Sequence, residues 1–220
     1  MDIKLMDFWP RILDATLQTL QMVGFSLAFS LILGLPLGII LVITRPGNLY
    51  GNKPFFNVLN GIINFLRSIP FIILLVAIIP FTRLLIGTTI GTAAAIVPLV
   101  VFAAPYIARL VESSLLEVSP GMIEAAEAMG AKPWQIIFRV MVPEAFSSLI
   151  LNITIATIGI VGASAMAGFV GGGGLGDLAI AYGYQRFETD IMIVTVLLLV
   201  LIVQLIQSLG NTLSKTSRRR

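Results

Sequence analysis

Residues 119–143 read SPGMIEAAEAMGAKPWQIIFRVMVP, and they lie between segments apolar enough to cross a bilayer. Ser119 is of a residue type that caps helix starts, and Pro120 suits the first helical position because its missing N–H is not needed there. Gly130 suits a left-handed helix end. The pattern therefore predicts a short helix over about 120–129, in the longest polar part of the middle of the chain.

The second half of this stretch predicts another helix, which opens at Pro133 and ends at Pro143. Its apolar side chains recur at i, i+4 spacing and so share one face of the helix. These side chains are Ile136, Ile137, Val140 and Met141. The stretch as a whole is therefore predicted to be a helix pair that leaves the membrane and returns to it.

The first of these helices has an unusually small surface. Ala125, Ala126 and Ala128 add almost no bulk, and the carboxylates of Glu124 and Glu127 stand beside them. Such a surface permits the backbone of another protein to approach closely. We interpret it as a docking surface; the alternative is a helix of small residues that lies flat on the membrane.

The composition is that of an integral membrane protein. Of the 220 residues, 57% are hydrophobic and only 11% are charged, so lipid must face much of the surface. The absence of Cys and His excludes disulfides, thiolate nucleophiles, the usual zinc sites and a Ser-His-Asp triad. Together with the lack of a G-x-x-x-x-G-K-[ST] motif, this predicts no catalytic residues, no metal site and no cofactor. The small net charge of +3 indicates no nucleic-acid partner.

Five apolar segments are long enough to cross the membrane, so the predicted fold class is an all-α integral membrane protein with five spans. The predicted spans are 17–43, 57–80, 89–111, 146–168 and 191–212. Residues 1–16 are predicted to form an interfacial segment, 17–212 a transmembrane domain with a cytoplasmic loop at 112–145, and 213–220 a basic tail.

Three side chains within the predicted spans are candidates for a translocation pathway or gate. Arg67 interrupts the second span, and a charge at membrane depth faces protein, a water-filled cavity or the interface; a span that starts after Arg67 is the alternative. Ser164 and Met166 stand out in a segment of small residues, although Met166 also fits a role as core filler. The glycines at 171–176 indicate a flexible outer loop or gate.

The distribution of basic residues predicts the orientation of the chain. With the C-terminus inside, the cytoplasmic segments hold Arg45, Lys53, Arg109, Lys132, Arg139, Lys215, Arg218, Arg219 and Arg220. The outer segments then hold only Lys4, Arg11, Arg83 and Arg186. The N-terminus is therefore predicted to lie outside and the C-terminus and the 112–145 loop in the cytoplasm.

The loop also resembles a known motif. Glu124-Ala125-Ala126, then Gly130, and then Val140, Val142 and Pro143 resemble the EAA loop of inner-membrane permease subunits of binding-protein-dependent ABC importers. In that family the loop ends in Ile-x-Leu-Pro, so the two valines are a mild departure. The resemblance implies a type I ABC importer permease fold, with Glu124, Ala125, Ala126, Gly130 and Pro143 coupling to a separate ATPase subunit.

The resemblance extends over nearly the whole chain. Residues 44–47, 67–71, 79–83 and 173–176 resemble the permease subunits of methionine importers. This resemblance implies a homodimer in the bacterial inner membrane, with two ATP-binding cassette subunits inside and a solute-binding lipoprotein outside. An importer of another small polar solute, such as an osmoprotectant, is the second interpretation. An ATP-independent channel or membrane assembly factor is the third.

Overall fold

A computed structural model describes residues 2–217, with side chains from Phe8 onward. Within that range the chain folds into helices and turns, without strands. Met1 and Arg218–Arg220, which belong to the predicted terminal segments, lie outside the described residues. The predicted all-α class is therefore confirmed.

Eleven α-helices are described, joined by short turns. They are α1 (Asp2–Thr44), α2 (Lys53–Ser68), α3 (Phe71–Ala77), α4 (Ile79–Ile86), α5 (Thr92–Leu116), α6 (Pro120–Ala128), α7 (Pro133–Ile136), α8 (Val142–Glu144), α9 (Phe146–Ala167), α10 (Gly174–Leu178) and α11 (Thr189–Ser217). Two π-helical segments, Ile137–Met141 and Ala179–Tyr184, and a 3₁₀ turn, Gly168–Val170, continue neighbouring helices. Among the described residues, α1, α5, α9 and α11 are each long and apolar enough to cross a membrane.

The predicted span at 57–80 is not one continuous helix. The chain forms α2 and α3 instead, and their axes differ by 99°. Pro70 causes the break, because its ring disfavours helical geometry at the preceding residue and it has no N–H to donate. The described chain thus has four spanning helices, or five if the bent pair counts as a broken span.

Helices α1, α5 and α11 are longer than the predicted spans, whereas α9 ends one residue before its predicted span does. Residues 2–16 are helical and continuous with the rest of α1, which begins at Asp2. Helix α5 continues beyond the end of the predicted third span to Leu116, five residues into the predicted loop. Tertiary packing extends it, since Glu112 and Leu115 are each only 2% exposed.

The chain divides into two compact units, and the long helices contribute to both. The first unit contains the described residues of Met1–Ser30, Ile69–Ala103 and Thr157–Ile206. Its core is built from residues of α1, α3, α5, α9, α10 and α11, among them the fully buried Met22, Leu99, Ile160 and Leu175.

Residues 171–176, here called the glycine segment, belong to the first unit. The sequence predicts a flexible loop or gate here, but the segment packs closely against other parts of this unit. The N–H of Gly174 donates to Gln18 Oε1 at 2.8 Å, and the N–H of Leu175 donates to Thr19 Oγ1 at 2.9 Å. A Cβ placed on Gly176 would lie 2.2 Å from the carbonyl oxygen of Ala165. These glycines therefore allow two backbones to touch.

We predict that Gly176→Ala lowers the free energy of unfolding by about 1–3 kcal/mol, since the methyl group meets backbone atoms that must shift. Gly24→Ala on α1 is the matched control, because a Cβ there has no other heavy atom within 4 Å. Alanine at this helical position is expected to stabilise the chain slightly. Thermal unfolding of both purified variants tests the prediction, and equal melting temperatures contradict it.

The second unit contains the described residues of Leu31–Ser68, Ala104–Ala156 and Gln207–Arg220. One of its cores joins α1, α2 and α5 through Leu41, Ile63 and Ala108. The backbones of α1 and α5 approach closely here, since a Cβ on Gly38 would lie 2.6 Å from the carbonyl oxygen of Ala108. This unit carries the helix pair of residues 119–143.

Candidate functional site

The short helix predicted at 120–129 is present as α6, and its ends follow the expected chemistry. Ser119 is the residue before the first helical turn and Pro120 begins it, although the Ser119 side chain makes no capping hydrogen bond. At the other end, Gly130 has φ +79° and its N–H donates to the carbonyl oxygen of Glu127 at 2.9 Å. Glycine adopts this left-handed geometry without steric cost.

The helix divides its small residues between two sides. Glu124, Ala125, Glu127 and Ala128 are exposed, whereas Ala126 is only 4% exposed and holds α6 against the protein. The exposed side therefore presents two alanines and two carboxylates with little bulk. We call these four residues together with Gly130 the α6 surface.

Gly130 is constrained by its backbone and not by crowding. A Cβ at this position has no heavy atom of the described chain within 4 Å. Residues with a side chain are strained at φ +79°, although asparagine is strained less than most. A larger side chain here would project from the α6 surface into open space.

The segment after α6 returns to the protein through a buried apolar face. Ile136, Ile137 and Met141 are 1%, 6% and 1% exposed, which confirms most of the predicted face. Pro143 does not end the helix; it lies in the first turn of α8. The preceding π-helical segment allows this. The N–H of Val142 donates to the carbonyl oxygen of Ile137, five residues back. The wider π-helical turn leaves room for the proline ring, which in an α-helix clashes with the carbonyl group four residues earlier.

A charged cluster around the buried Glu112 lies in the same unit and is not predicted from the sequence. Arg109 Nη1 donates to Glu112 Oε2, and Arg109 Nη2 donates to Asn60 Oδ1 at 2.6 Å and to Asn64 Oδ1 at 2.8 Å. Arg45 Nη1 lies 3.7 Å from Glu112 Oε1, an oxygen that accepts no hydrogen bond. This cluster joins the end of α1, α2 and α5 through charge-assisted hydrogen bonds.

The sequence does contain a signal for this cluster. Arg109 contributes to the basic residues that predict orientation, and Glu112 is the first residue of the predicted loop. The i, i+3 spacing of Arg109 and Glu112 on one helix and the i, i+4 spacing of Asn60 and Asn64 on another indicate polar faces. Which two faces meet depends on the tertiary fold.

Polar side chains also join the first turns of α9 to α5 and α11. The hydroxyls of Ser147 and Ser214 are 2.7 Å apart, and Asn152 Nδ2 donates to Ser114 Oγ at 2.7 Å. Hydrogen bonds between membrane helices contribute about 0.6–2 kcal/mol each. The start of α9, into which the segment after α6 leads, is thereby tied to α5 and α11.

The predicted pathway residues fall in different units: Ser164 and Met166 lie on different sides of α9 in the first unit, and Arg67 belongs to the second unit. Ser164 is 1% exposed, and its hydroxyl donates to the carbonyl oxygen of Val161 at 2.8 Å. Met166 lies on another side of α9 and is 48% exposed. Arg67 lies in the last turn of α2 with its guanidinium carbon 5.9 Å from the ring centroid of Tyr106, a cation–π contact.

Met166 is 48% exposed, so its side chain fills little of the protein core. We predict that Met166→Ala changes the free energy of unfolding by less than the about 2–5 kcal/mol typical of a buried methionine. If Met166 closes a pathway, this variant permits leak or loosens the link between ATP hydrolysis and uptake. Thermal unfolding and solute uptake per purified complex test this, and a strongly destabilised variant with normal coupling removes Met166 from the site.

One further ionisable group, in α10, has a shifted pKa. Burial raises the pKa of the Asp177 carboxyl in α10 above its ordinary value. Among the described residues no group of three or more His, Cys, Asp or Glu side chains is placed to hold a metal ion.

Comparison with known proteins gives concordant matches. The family described as "Binding-protein-dependent transport system inner membrane component" matches residues 34–219. The "Probable D-methionine transport system permease protein MetI" of Vibrio cholerae is 52% identical over 202 residues, which are 92% of this chain and 90% of that protein. The "Methionine import system permease protein MetP" of Bacillus subtilis is 41% identical over 219 residues, 100% of this chain and 97% of that protein.

Solved structures agree with the sequence matches. A chain in "Inward facing conformations of the MetNI methionine ABC transporter: CY5 SeMet soak crystal form" has a TM-score of 0.94 and 46% identity, covering 96% of this chain and 98% of that chain. An amino acid ABC transporter crystallised with histidines has a TM-score of 0.81 at 17% identity, which shows a shared fold. The fold is thus that of a type I ABC importer permease.

Proposed function

The chain belongs to the family of binding-protein-dependent transport system inner membrane components, and from this membership we propose that it is the permease subunit of an ATP-driven methionine importer. The observation that carries the proposal is the likeness to a chain of the MetNI methionine ABC transporter, at 46% identity over nearly the full length of both chains. Relatives 41–52% identical over most of this chain carry names of methionine permeases.

The proposed transporter contains two copies of this chain, two ATP-binding cassette subunits and a solute-binding protein. The permease supplies the pathway, and the energy for uphill transport comes from ATP hydrolysis on the partner subunits. A membrane subunit without an ATP site can only alternate between two states, so the direction of pumping depends on a physical link to the ATPase.

We place that link at the α6 surface. Its exposed alanines permit close contact with an ATPase subunit, and Glu124 and Glu127 offer carboxylates to basic partners. Motion imposed on α6 passes to the protein through the buried Ala126 and then through Ile136 and Ile137 of the returning segment. Closely packed interiors transmit such displacement because they resist compression.

Reconstitution tests the proposed function. The chain is purified with its ATPase subunits, placed in liposomes with the solute-binding protein, and assayed for ATP hydrolysis and uptake of labelled methionine. We expect methionine to stimulate both activities, with no uptake when the binding protein is omitted. Stimulation by an osmoprotectant but not by methionine contradicts the substrate assignment, and uptake without ATP contradicts the importer mechanism.

The proposed orientation is tested by cysteine labelling. The natural chain has no cysteine, so Lys132→Cys and Gln185→Cys each introduce a unique and exposed thiol. We expect an impermeant reagent to label Lys132→Cys only from the cytoplasmic side and Gln185→Cys only from the outer side, because basic segments stay inside. Labelling of both from the same side contradicts the orientation. Gly172 lies in the glycine segment that is also predicted to be outside, but it is buried and therefore unsuitable for labelling.

A further inference from the structure

Helix α2 has three distinct faces. The first contains the buried Ile63 and packs against α1 and α5. The second is an exposed apolar stripe at i, i+3, i+7 and i+10 spacing, formed by Phe55, Val58, Ile62 and Phe65. The third, which we call the polar face of α2, has the same spacing and is formed by Asn57, Asn60, Asn64 and Arg67.

The exposed stripe and the polar face point in opposite directions. They are offset by two residues, which is a rotation of about 200° around an α-helix. Asn57, Asn64 and Arg67 are exposed and Asn60 is half-buried. Polar and charged side chains of membrane helices face the protein interior or a water-filled cavity and not lipid. The polar face of α2 therefore borders protein or water, while the apolar stripe suits lipid or an apolar partner helix.

Arg67, the last residue of the polar face, lies at the depth of the membrane centre. Its guanidinium carbon is 5.9 Å from the ring centroid of Tyr106 on the spanning helix α5. Tyr106 is 14 residues from the first residue of α5 and 10 from the last, so its backbone is about 21 Å and about 15 Å from the two ends of the helix. A hydrocarbon core about 30 Å thick is then centred close to Tyr106 and Arg67.

The charge of Arg67 has no acidic partner among the described residues. Arg109, one turn beyond Tyr106 on α5, is paired with Glu112. The guanidinium of Arg67 instead meets the ring of Tyr106, and its side chain is exposed. A charged side chain within a membrane is costly and marks the pathways of ions and solutes. The planar guanidinium of arginine matches a carboxylate, with which it forms two parallel hydrogen bonds.

We propose that the polar face of α2 lines the solute pathway and that Arg67 binds the carboxylate of the passing solute near the middle of the membrane. A carboxylate that leaves water without a partner is strongly disfavoured, and the guanidinium offsets this cost where the pathway is deepest. The inference rests on the proposed function, because it requires a solute that carries a carboxylate, as amino acids do. It gives the permease itself a part in solute recognition, in addition to that of the solute-binding protein.

Arg67→Gln tests the contact in the reconstituted complex of permease, ATPase and solute-binding protein. We expect uptake of labelled methionine per ATP hydrolysed to fall about tenfold, because a charged hydrogen-bond partner is lost while the ATPase subunits stay bound. Arg67→Lys keeps the charge and is expected to lose less. Lys53→Gln removes a cation from the first residue of the same helix and is expected to transport normally. Thermal unfolding of each complex checks that the variants fold.

Thiol labelling tests the polar face without measuring transport. Ser68 follows Arg67 and is exposed, whereas Ile62 lies on the apolar stripe and is 53% exposed. Ser68→Cys and Ile62→Cys each introduce a unique thiol, since the natural chain has no cysteine. A small water-soluble thiosulfonate reacts with the thiolate, which is disfavoured in apolar surroundings. We expect Ser68→Cys in membranes to react about tenfold faster than Ile62→Cys, which corresponds to one pKa unit between the two thiols.

Three outcomes overturn the inference. Normal uptake by Arg67→Gln, when the natural chain transports methionine, removes Arg67 from the pathway and leaves the proposed function standing. Equal losses of uptake in Arg67→Lys and Arg67→Gln, with lowered melting temperatures in both, show that Arg67 has only a structural contact. Equal labelling of the two cysteine variants shows that the polar face does not border water. Absence of methionine uptake by the natural complex contradicts the proposed function itself, and with it the carboxylate contact.

Discussion

Arg109→Met is expected to lower the free energy of unfolding by about 3 kcal/mol, the lower end of the range for removing one partner of a buried ion pair, because the Arg109 side chain is 26% exposed. Glu112 is 2% exposed, and its Oε2 accepts a hydrogen bond from Arg109. Its other oxygen accepts none, and the guanidinium of Arg45 lies 3.7 Å away on a side chain that is 48% exposed. Without Arg109 the buried carboxylate loses its main partner, and Asn60 and Asn64 lose a common donor.

A double-mutant cycle separates this effect from lost packing. Glu112→Leu leaves Arg109 with its two asparagine partners and partial exposure, so its cost is expected to be smaller than that of Arg109→Met. The combined variant should be more stable than Arg109→Met, because no carboxylate remains unpaired. Thermal or denaturant unfolding in one detergent measures all four proteins. Strictly additive losses contradict the inferred coupling.

Gly130→Arg is expected to abolish uptake and to release the ATPase subunits while the permease still inserts into the membrane. Two effects act together. The φ of +79° costs a residue with a side chain about 1–2 kcal/mol, and the arginine projects into the space that a partner must enter. Co-purification of the ATPase and uptake per complex are the measurements.

Variants at the same position separate strain from bulk. Gly130→Asn tolerates the left-handed geometry and adds a short side chain, so it is expected to retain most uptake. Gly130→Ala adds strain with little bulk and is expected to be intermediate. Gln185→Arg is the charge control on the side predicted to be outside the membrane. Gln135 is unsuitable as a control, because its Oε1 accepts the N–H of Lys132 at 2.8 Å. Normal uptake and normal ATPase retention by Gly130→Arg contradict the proposed contact.

The sequence was sufficient for the features that depend on neighbours along the chain. Helix α6 begins at Pro120 and is followed by the left-handed Gly130, as predicted, because caps and turn residues act within one helical turn. The class of membrane protein followed from composition, and the family from the spacing of Glu124, Ala125, Ala126, Gly130 and Pro143. The family match confirms that assignment.

Features that depend on which surfaces meet were not predictable in this way. The glycines at 171–176 suggested mobility, but α1 and α9 pack against them, and only a partner backbone 2.2 Å from a hypothetical Cβ shows why Gly176 is required. Local sequence permits both a mobile and a closely packed glycine, since the residue itself has no side chain to constrain either state.

The same reason explains the charged cluster. The predicted third span contains Arg109 near its end and excludes Glu112, because charges at the end of an apolar run usually mark the membrane surface. Packing of α2 and the end of α1 against α5 buries Glu112, and the helix extends to Leu116. Burial of a charge depends on residues about 50 positions away that supply its partners, Asn60 and Asn64. Periodicity records the faces of one helix, whereas the contact between helices is a property of the folded chain.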